Sequence, residues 1–196
     1  MIADEHVTLF REGFTQANGL VVPPAIIWYG QYPCFSIADD TIYISEYGKI
    51  TALNLFTREK KWKYEYEVLT PAFYNKREKT NPVLAVCNKY IAFQTENQSI
   101  RVLDKISQKM VFEFFTPVVK SICMDGEYLV ALGYNSGARC FDLSQNGKEI
   151  WAQTHNNRSD IYAENGNLVF VRYSDPSISF YDLATGKLKV QAKPVV

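Results

Sequence analysis

Apolar residues come along this chain in short runs, and pairs of turn-forming residues separate the runs. Ile178 to Val190 shows the plan most clearly: an apolar run ends on Asp182, a turn comes next at Ala184-Thr185-Gly186-Lys187, and a second run begins at Leu188. Gly stands where a positive φ is needed, so the stretch predicts a β-hairpin. The chain repeats it. Asp142-Leu143 lies 40 residues earlier, followed by Gly147-Lys148-Glu149-Ile150-Trp151. Asp104 lies 38 before that, and Asn54-Leu55 another 50, followed by Thr57 to Trp62.

The pattern predicts four units of four strands each. The first runs from Pro33 to about Val68, with strands at 35–37, 41–45, 49–55 and 61–67. The second covers about Asn81 to Pro117, the third Val118 to about His155, and the fourth Arg158 to the end. Second strands are apolar at nearly every position, as in Leu129-Val130-Ala131-Leu132, which predicts burial on both faces. In the fourth strand of the first unit Trp62, Tyr64 and Tyr66 alternate with charged residues, which predicts one buried face and one wet. A fixed period near 40 with β-rich composition is the mark of radially stacked small sheets, a β-propeller, rather than a sandwich or a helical repeat.

Two parts fall outside the period. Residues 1–32 hold material for two or three strands around Asn18-Gly19 and Pro23-Pro24, expected to form a partial or closing blade beside the repeats of 33–196. The segment 71–80 accounts for the interval of 50 and reads as a long loop.

The resemblance is to the quinoprotein-type (PQQ-like) propeller repeat, whose signature is an apolar run, Asp, a Thr-Gly turn and a Trp on the outer strand. Phe180 to Lys187 matches it, and Trp62 and Trp151 stand at the Trp position, with Phe112 and Val190 there in the other units. The likeness covers residues 33 to 192. In period it is also similar to the WD40 repeat, but no Trp-Asp or Gly-His pair occurs. The resemblance implies an all-β fold of about four four-stranded blades, either a closed small ring or an open arc completed by oligomerisation. An open arc leaves apolar blade faces uncovered, which favours a homodimer.

Composition narrows the function classes. Lys+Arg and Asp+Glu balance at 21 each, and so even a charge argues against general nucleic-acid binding. No apolar run approaches the length of a membrane span. The first residues lack the pattern of a signal peptide, so if Met1 is the natural start a cytoplasmic protein is expected. Cys34, Cys87, Cys123 and Cys140 include no Cys-x-x-Cys pair and read as reduced thiols acting as small hydrophobes; sequence does not fix a pairing such as Cys123–Cys140.

His6 and His155 are the only histidines, and both read as ordinary surface residues. No nucleophile elbow, phosphate loop or zincin motif is present. Asn54, Asp104, Asp142 and Asp182 read as turn formers whose side chains bond nearby amides. Exported quinoprotein dehydrogenases pair a metal site with adjacent cysteines, and this chain has no such cysteines, so no catalytic residue, cofactor or metal is assigned. Of two basic clusters, Arg58-Lys60-Lys61-Lys63 and Lys76-Arg77-Lys79, one strand separates the members, which places them on opposite sides of the disc. Phe73 and Tyr74 beside Lys76 and Arg77 combine aromatic anchors with cations, a composition enriched at protein interfaces. The expectation is a non-catalytic scaffold that binds a protein or peptide through its loops. The alternatives are a carbohydrate- or small-molecule-processing propeller enzyme with a central pocket, and a fragment of a larger propeller scaffold.

Overall fold

The structure is a computed structural model that describes residues 34–46, 48–67, 83–95, 99–116, 119–133, 137–154, 159–172 and 176–193, together with four short strands before them. Those four are β1 (Val7–Leu9), β2 (Phe14–Thr15), β3 (Val21–Val22) and β4 (Ile26–Trp28). β1 pairs with β4 and β2 with β3, both antiparallel.

Sixteen strands come next, in four antiparallel sheets of four, each in sequence order. Blade one holds β5 (Cys34–Ala38), β6 (Thr41–Glu46), β7 (Lys49–Asn54) and β8 (Lys60–Glu65). Blade two holds β9 (Leu84–Val86), β10 (Tyr90–Gln94), β11 (Ser99–Asp104) and β12 (Met110–Phe115). Blade three holds β13 (Val119–Asp125), β14 (Tyr128–Gly133), β15 (Gly137–Asp142) and β16 (Lys148–Gln153). Blade four holds β17 (Ser159–Glu164), β18 (Asn167–Arg172), β19 (Ser177–Asp182) and β20 (Leu188–Ala192).

The register repeats along with the strands. Trp62, Phe112, Trp151 and Val190 sit opposite Ala52, Val102, Cys140 and Phe180, and in every blade the ladder slips by one residue next to that pair. The slip is a bulge that bends the outer strand. The third blade departs in one detail. β15 stops at Asp142, as the third strands of the other blades stop at Asn54, Asp104 and Asp182, but Leu143–Gln145 then make a single 3-10 turn. One extra residue is the cause: the closing amide comes from Gly147, five beyond Asp142, whereas Arg58, Gln108 and Gly186 close their turns four beyond Asn54, Asp104 and Asp182.

The core lies between blades. Tyr43, Ile50 and Ala52 of the first blade meet Ile91, Phe93 and Leu103 of the second. Tyr90, Ala92, Ile100 and Val102 on the other side of the second meet Ile122, Leu129 and Phe141 of the third. Cys123, Val130, Leu132 and Cys140 meet Ile161, Leu168, Phe170 and Tyr181 of the fourth. A sheet covered on both sides should be apolar on both, and β10 is buried at every position. β8 and β12 are outer strands and alternate between half-buried and exposed, as their patterns predict. β20 does not: it is exposed throughout, because nothing among the described residues packs on the outward side of its blade.

First strands of successive blades stand side by side, β5 by β9, β9 by β13 and β13 by β17. Among the described residues β17 does not stand beside β5 in this way, so the four sheets are not closed into a ring.

Candidate functional site

In a four-stranded antiparallel blade the first and third turns fall on the same side. Each third turn here is held by the residue that the repeat supplies at its start. The Asn54 Oδ1 accepts from the amides of Phe56 and Thr57 at 2.9 and 2.8 Å. Asp104 Oδ1 accepts from the amide and hydroxyl of Ser107 at 2.7 and 2.8 Å, Asp142 Oδ1 from those of Ser144 at 2.9 and 2.6 Å, and Asp182 Oδ1 from those of Thr185 at 2.9 and 2.8 Å. These donors favour the charged carboxylate and hold it below the ordinary range. The Ser107 amide leads at Asp104, the Ser144 hydroxyl at Asp142 and the Thr185 hydroxyl at Asp182. The turn-forming role expected for the four residues is the one observed.

The turns also carry the contacts between blades. The Phe112 ring lies where a Cβ on Gly147 would be, and Trp151 lies over Gly186, where an added Cβ would come within 2.9 Å of the indole. Trp151 Nε1 donates to the Leu183 carbonyl at 2.8 Å, and Gln153 Nε2 donates to the Gly186 carbonyl. Both glycines have positive φ, +73° and +67°, so conformation and space each require them.

Side chains from the first turns complete this surface. Lys105 Nζ of the second blade reaches Asp39 of the first at 2.9 Å. Glu127 of the third accepts from the Tyr90 hydroxyl at 2.7 Å and from Lys89 Nζ at 2.9 Å. Those two donors, Tyr90 first, lower the Glu127 pKa. Asp125 accepts from the Gly166 amide of the fourth blade at 2.7 Å. The polar groups of this side are thus largely engaged with one another.

Two side chains on it are not polar. Phe56 and Ile106 stand two residues beyond Asn54 and Asp104, at the tips of the third turns of adjacent blades, and are 76% and 89% exposed. At the same place the other blades have Ser144 and Ala184. The Lys105–Asp39 pair ties the third turn of the second blade to the first turn of the first, on this same side. The result is a pair of apolar tips on rigid turns among charged groups, suited to a polypeptide with matching apolar side chains.

Phe73, Tyr74, Lys76 and Arg77 lie outside the described residues, as do Lys79, His6 and His155. Of the first basic cluster, Lys61 Nζ pairs with Asp40 at 2.6 Å and Lys63 pairs with Glu65. Cys87, Cys123 and Cys140 are free thiols. Burial pushes both Cys123 and Cys140 up, Cys140 to about 12, which suits their place in the apolar core between blades three and four. Among the described residues no three His, Cys, Asp or Glu side chains are grouped so as to hold a metal ion. No helix among them is long and apolar enough to cross a membrane.

No protein-family model matches the sequence. No curated protein matches it significantly either. Solved structures do resemble it. The computationally designed Ika8 protein superposes with a TM-score of 0.60 over 81% of this chain and 48% of its own, at 12% identity. BamB from Moraxella catarrhalis superposes with a TM-score of 0.50 over 82% of this chain and 51% of its own, at 13% identity. The fold is propeller-like. At such identities the likeness concerns the arrangement of the blades alone. The propeller-like chain spans about half the length of either of these structures.

Proposed function

We propose that this chain is a non-catalytic propeller scaffold of PQQ-like repeats that binds a protein or peptide through its turn side. The observation that carries the reading is the pair Phe56 and Ile106, two large apolar side chains held in water by turns that their own blades make rigid. Exposed apolar side chains fixed in place lose little entropy on binding, and anchors of this kind dominate interface energies. Charged groups around them, among them Lys89, Lys105 and Asp104, supply a polar rim. The motif at Phe180 to Lys187 supports the repeat assignment. Phe73, Tyr74, Lys76 and Arg77 belong to the proposal as a separate contact.

The test is selection of peptides from a random display library on the purified chain. The expected peptides bind at least tenfold more weakly to a Phe56→Ser/Ile106→Ser variant whose unfolding midpoint matches that of the parent. Peptides that bind the variant unchanged, or no enrichment over an unrelated protein, overturn the proposal. A Phe73→Ser/Tyr74→Ser variant in the same assay reports on the second contact.

A further inference from the structure

Among the described residues five side chains have a buried polar atom without a hydrogen-bond partner: Ser45, Gln94, Arg172, Ser177 and Ser179. Three of the five fall together in the fourth blade. Arg172 ends β18, Ser177 begins β19 directly opposite it, and Ser179 follows two residues on. Alternation puts Ser177, Ser179 and Tyr181 on one face of the sheet, and the register puts Phe170 and Arg172 there with them. This face packs on the third blade through Ile161, Leu168, Phe170 and Tyr181. Ser177 and Ser179 are 2% and 1% exposed. Their hydroxyls and the Arg172 Nε therefore lie out of water, at the end of the joint away from the third turns, with nothing described to bond. Polar groups withdrawn from water in this way are costly and call for a partner. Asp160, the carboxylate of β17 near this end, stands on the other face opposite Val171 and is paired with Lys120.

The second blade shows what such a group can hold. Thr95, Ser99 and Arg101 stand at the register positions of Arg172, Ser177 and Ser179. They make up the same set, one guanidinium and two hydroxyls, with the guanidinium on the third strand instead of the second. There the set is complete. Glu113 Oε1 accepts from Ser99 Oγ and from Arg101 Nε, both at 2.7 Å, and Thr95 Oγ1 lies 2.9 Å from Ser99 Oγ. Glu113 comes from the outer strand, directly opposite Arg101. The residue in its place on β20, opposite Ser179, is Gln191, an exposed amide that brings no charge. The fourth blade keeps the donors and lacks the acceptor.

We propose that Arg172, Ser177 and Ser179 bind the carboxylate of a small organic acid, in the place that Glu113 takes in the second blade. An ionised carboxylate is an acceptor only, and its bonds to a guanidinium and to hydroxyls are charge-assisted. Its planar pair of oxygens suits the guanidinium fork. The two serines are so deeply covered that the ligand enters by its carboxylate end. The site lies at the opposite end of the strands from Phe56 and Ile106, so it is independent of the contact proposed for the turn side.

Thermal unfolding of the purified chain at neutral pH, with acetate exchanged for chloride at fixed ionic strength, tests the site. A ligand that binds only the folded chain raises the midpoint by mass action, and screening by salt is held constant. The midpoint should rise saturably with acetate, and less with phosphate. Arg172→Gln and the double variant Ser177→Ala/Ser179→Ala should each need at least tenfold more acetate for the same rise. Gln191→Glu supplies the carboxylate from the chain itself, at the place of Glu113. It should raise the midpoint in chloride and abolish the response to acetate. Equal midpoints in acetate and chloride overturn the proposal, because water then satisfies the three groups. A rise that the Arg172 and serine variants share with the parent also overturns it, as does a larger rise in phosphate than in acetate. Should those variants fail to fold, Gln191→Glu carries the test alone, and an undiminished acetate response in it overturns the proposal.

Discussion

The two faces of the fourth blade are made of similar residues and have opposite fates. On one, Leu168 and Phe170 are fully buried against the third blade, and Tyr181 closes on Phe170 with ring centroids 5.2 Å apart. On the other, Tyr162, Phe180 and Val190 face outward. The two sets alternate along the same strands, so neither propensity nor local pairing distinguishes them. What separates them is a neighbour. An apolar face in a stacked-sheet protein is a statement about the next unit, and the energy appears only where that unit is present.

The sharpest way to break this comparison is to cut the same side chain from each face. Phe170→Ala should destabilise by about 3–5 kcal/mol, the usual cost of deleting a buried phenyl ring and leaving a cavity. Phe180→Ala, measured in dilute chain, should cost about 1 kcal/mol, since it gives up only partial burial. Urea unfolding of both variants decides the matter, and equal costs would mean that the outward face is covered in solution even when the chain is dilute.

A finer comparison uses the outer strands, where Trp151 and Val190 hold the same place. Trp151→Phe keeps most of the packing but removes the donor that reaches the Leu183 carbonyl. It should cost about 1–2 kcal/mol, the loss of one hydrogen bond and the stranding of its acceptor. Val190→Ala should stay within about 0.5 kcal/mol, as surface changes do. Differential scanning calorimetry resolves both, and a Val190 cost that exceeds that of Trp151 would reverse the assignment of inner and outer joints.

Much of the fold is legible in the sequence, for definite reasons. The third turns announce themselves because an Asp or Asn recurs at the same point of each repeat, and the turn bonds are local: Asp182 and Thr185 need nothing beyond their own segment. The central strands are legible because burial on both sides leaves an unbroken apolar run, as in Tyr90 to Phe93. Which end of the series lies open is not written locally. Phe180 and Tyr181 are adjacent aromatics on opposite faces, and their pattern reads the same whether one face is covered or two. The exposed tips are hidden for another reason. Phe56, next to Leu55, and Ile106, alone between Lys105 and Ser107, lie inside short turns, and a search for periods or for aromatic–cation clusters passes over them. Their signal lies in comparing repeats, where Ser144 and Ala184 fill the same position. The loop at 71–80, which composition does single out, lies outside the described residues.

The smallest expected effect comes from the turns that tie the covered face together. The carboxyls of Asp104, Asp142 and Asp182 are held below their ordinary value, so the folded chain binds these protons less readily than the unfolded one. Their contribution is complete above the ordinary carboxylate value of 3.8 and declines as pH falls through the lowered folded values. The first blade does the same work with Asn54, which accepts two amides and cannot titrate. Asp182→Asn should therefore fold at neutral pH with the Thr185 amide still bonded, and should lose less stability on acidification than the parent does. Urea midpoints measured from neutral pH down through the carboxylate range give the two slopes. Parallel slopes would show that the Asp182 turn, which lies beneath Trp151 on the covered side, contributes no acid sensitivity to the joint between the third and fourth blades.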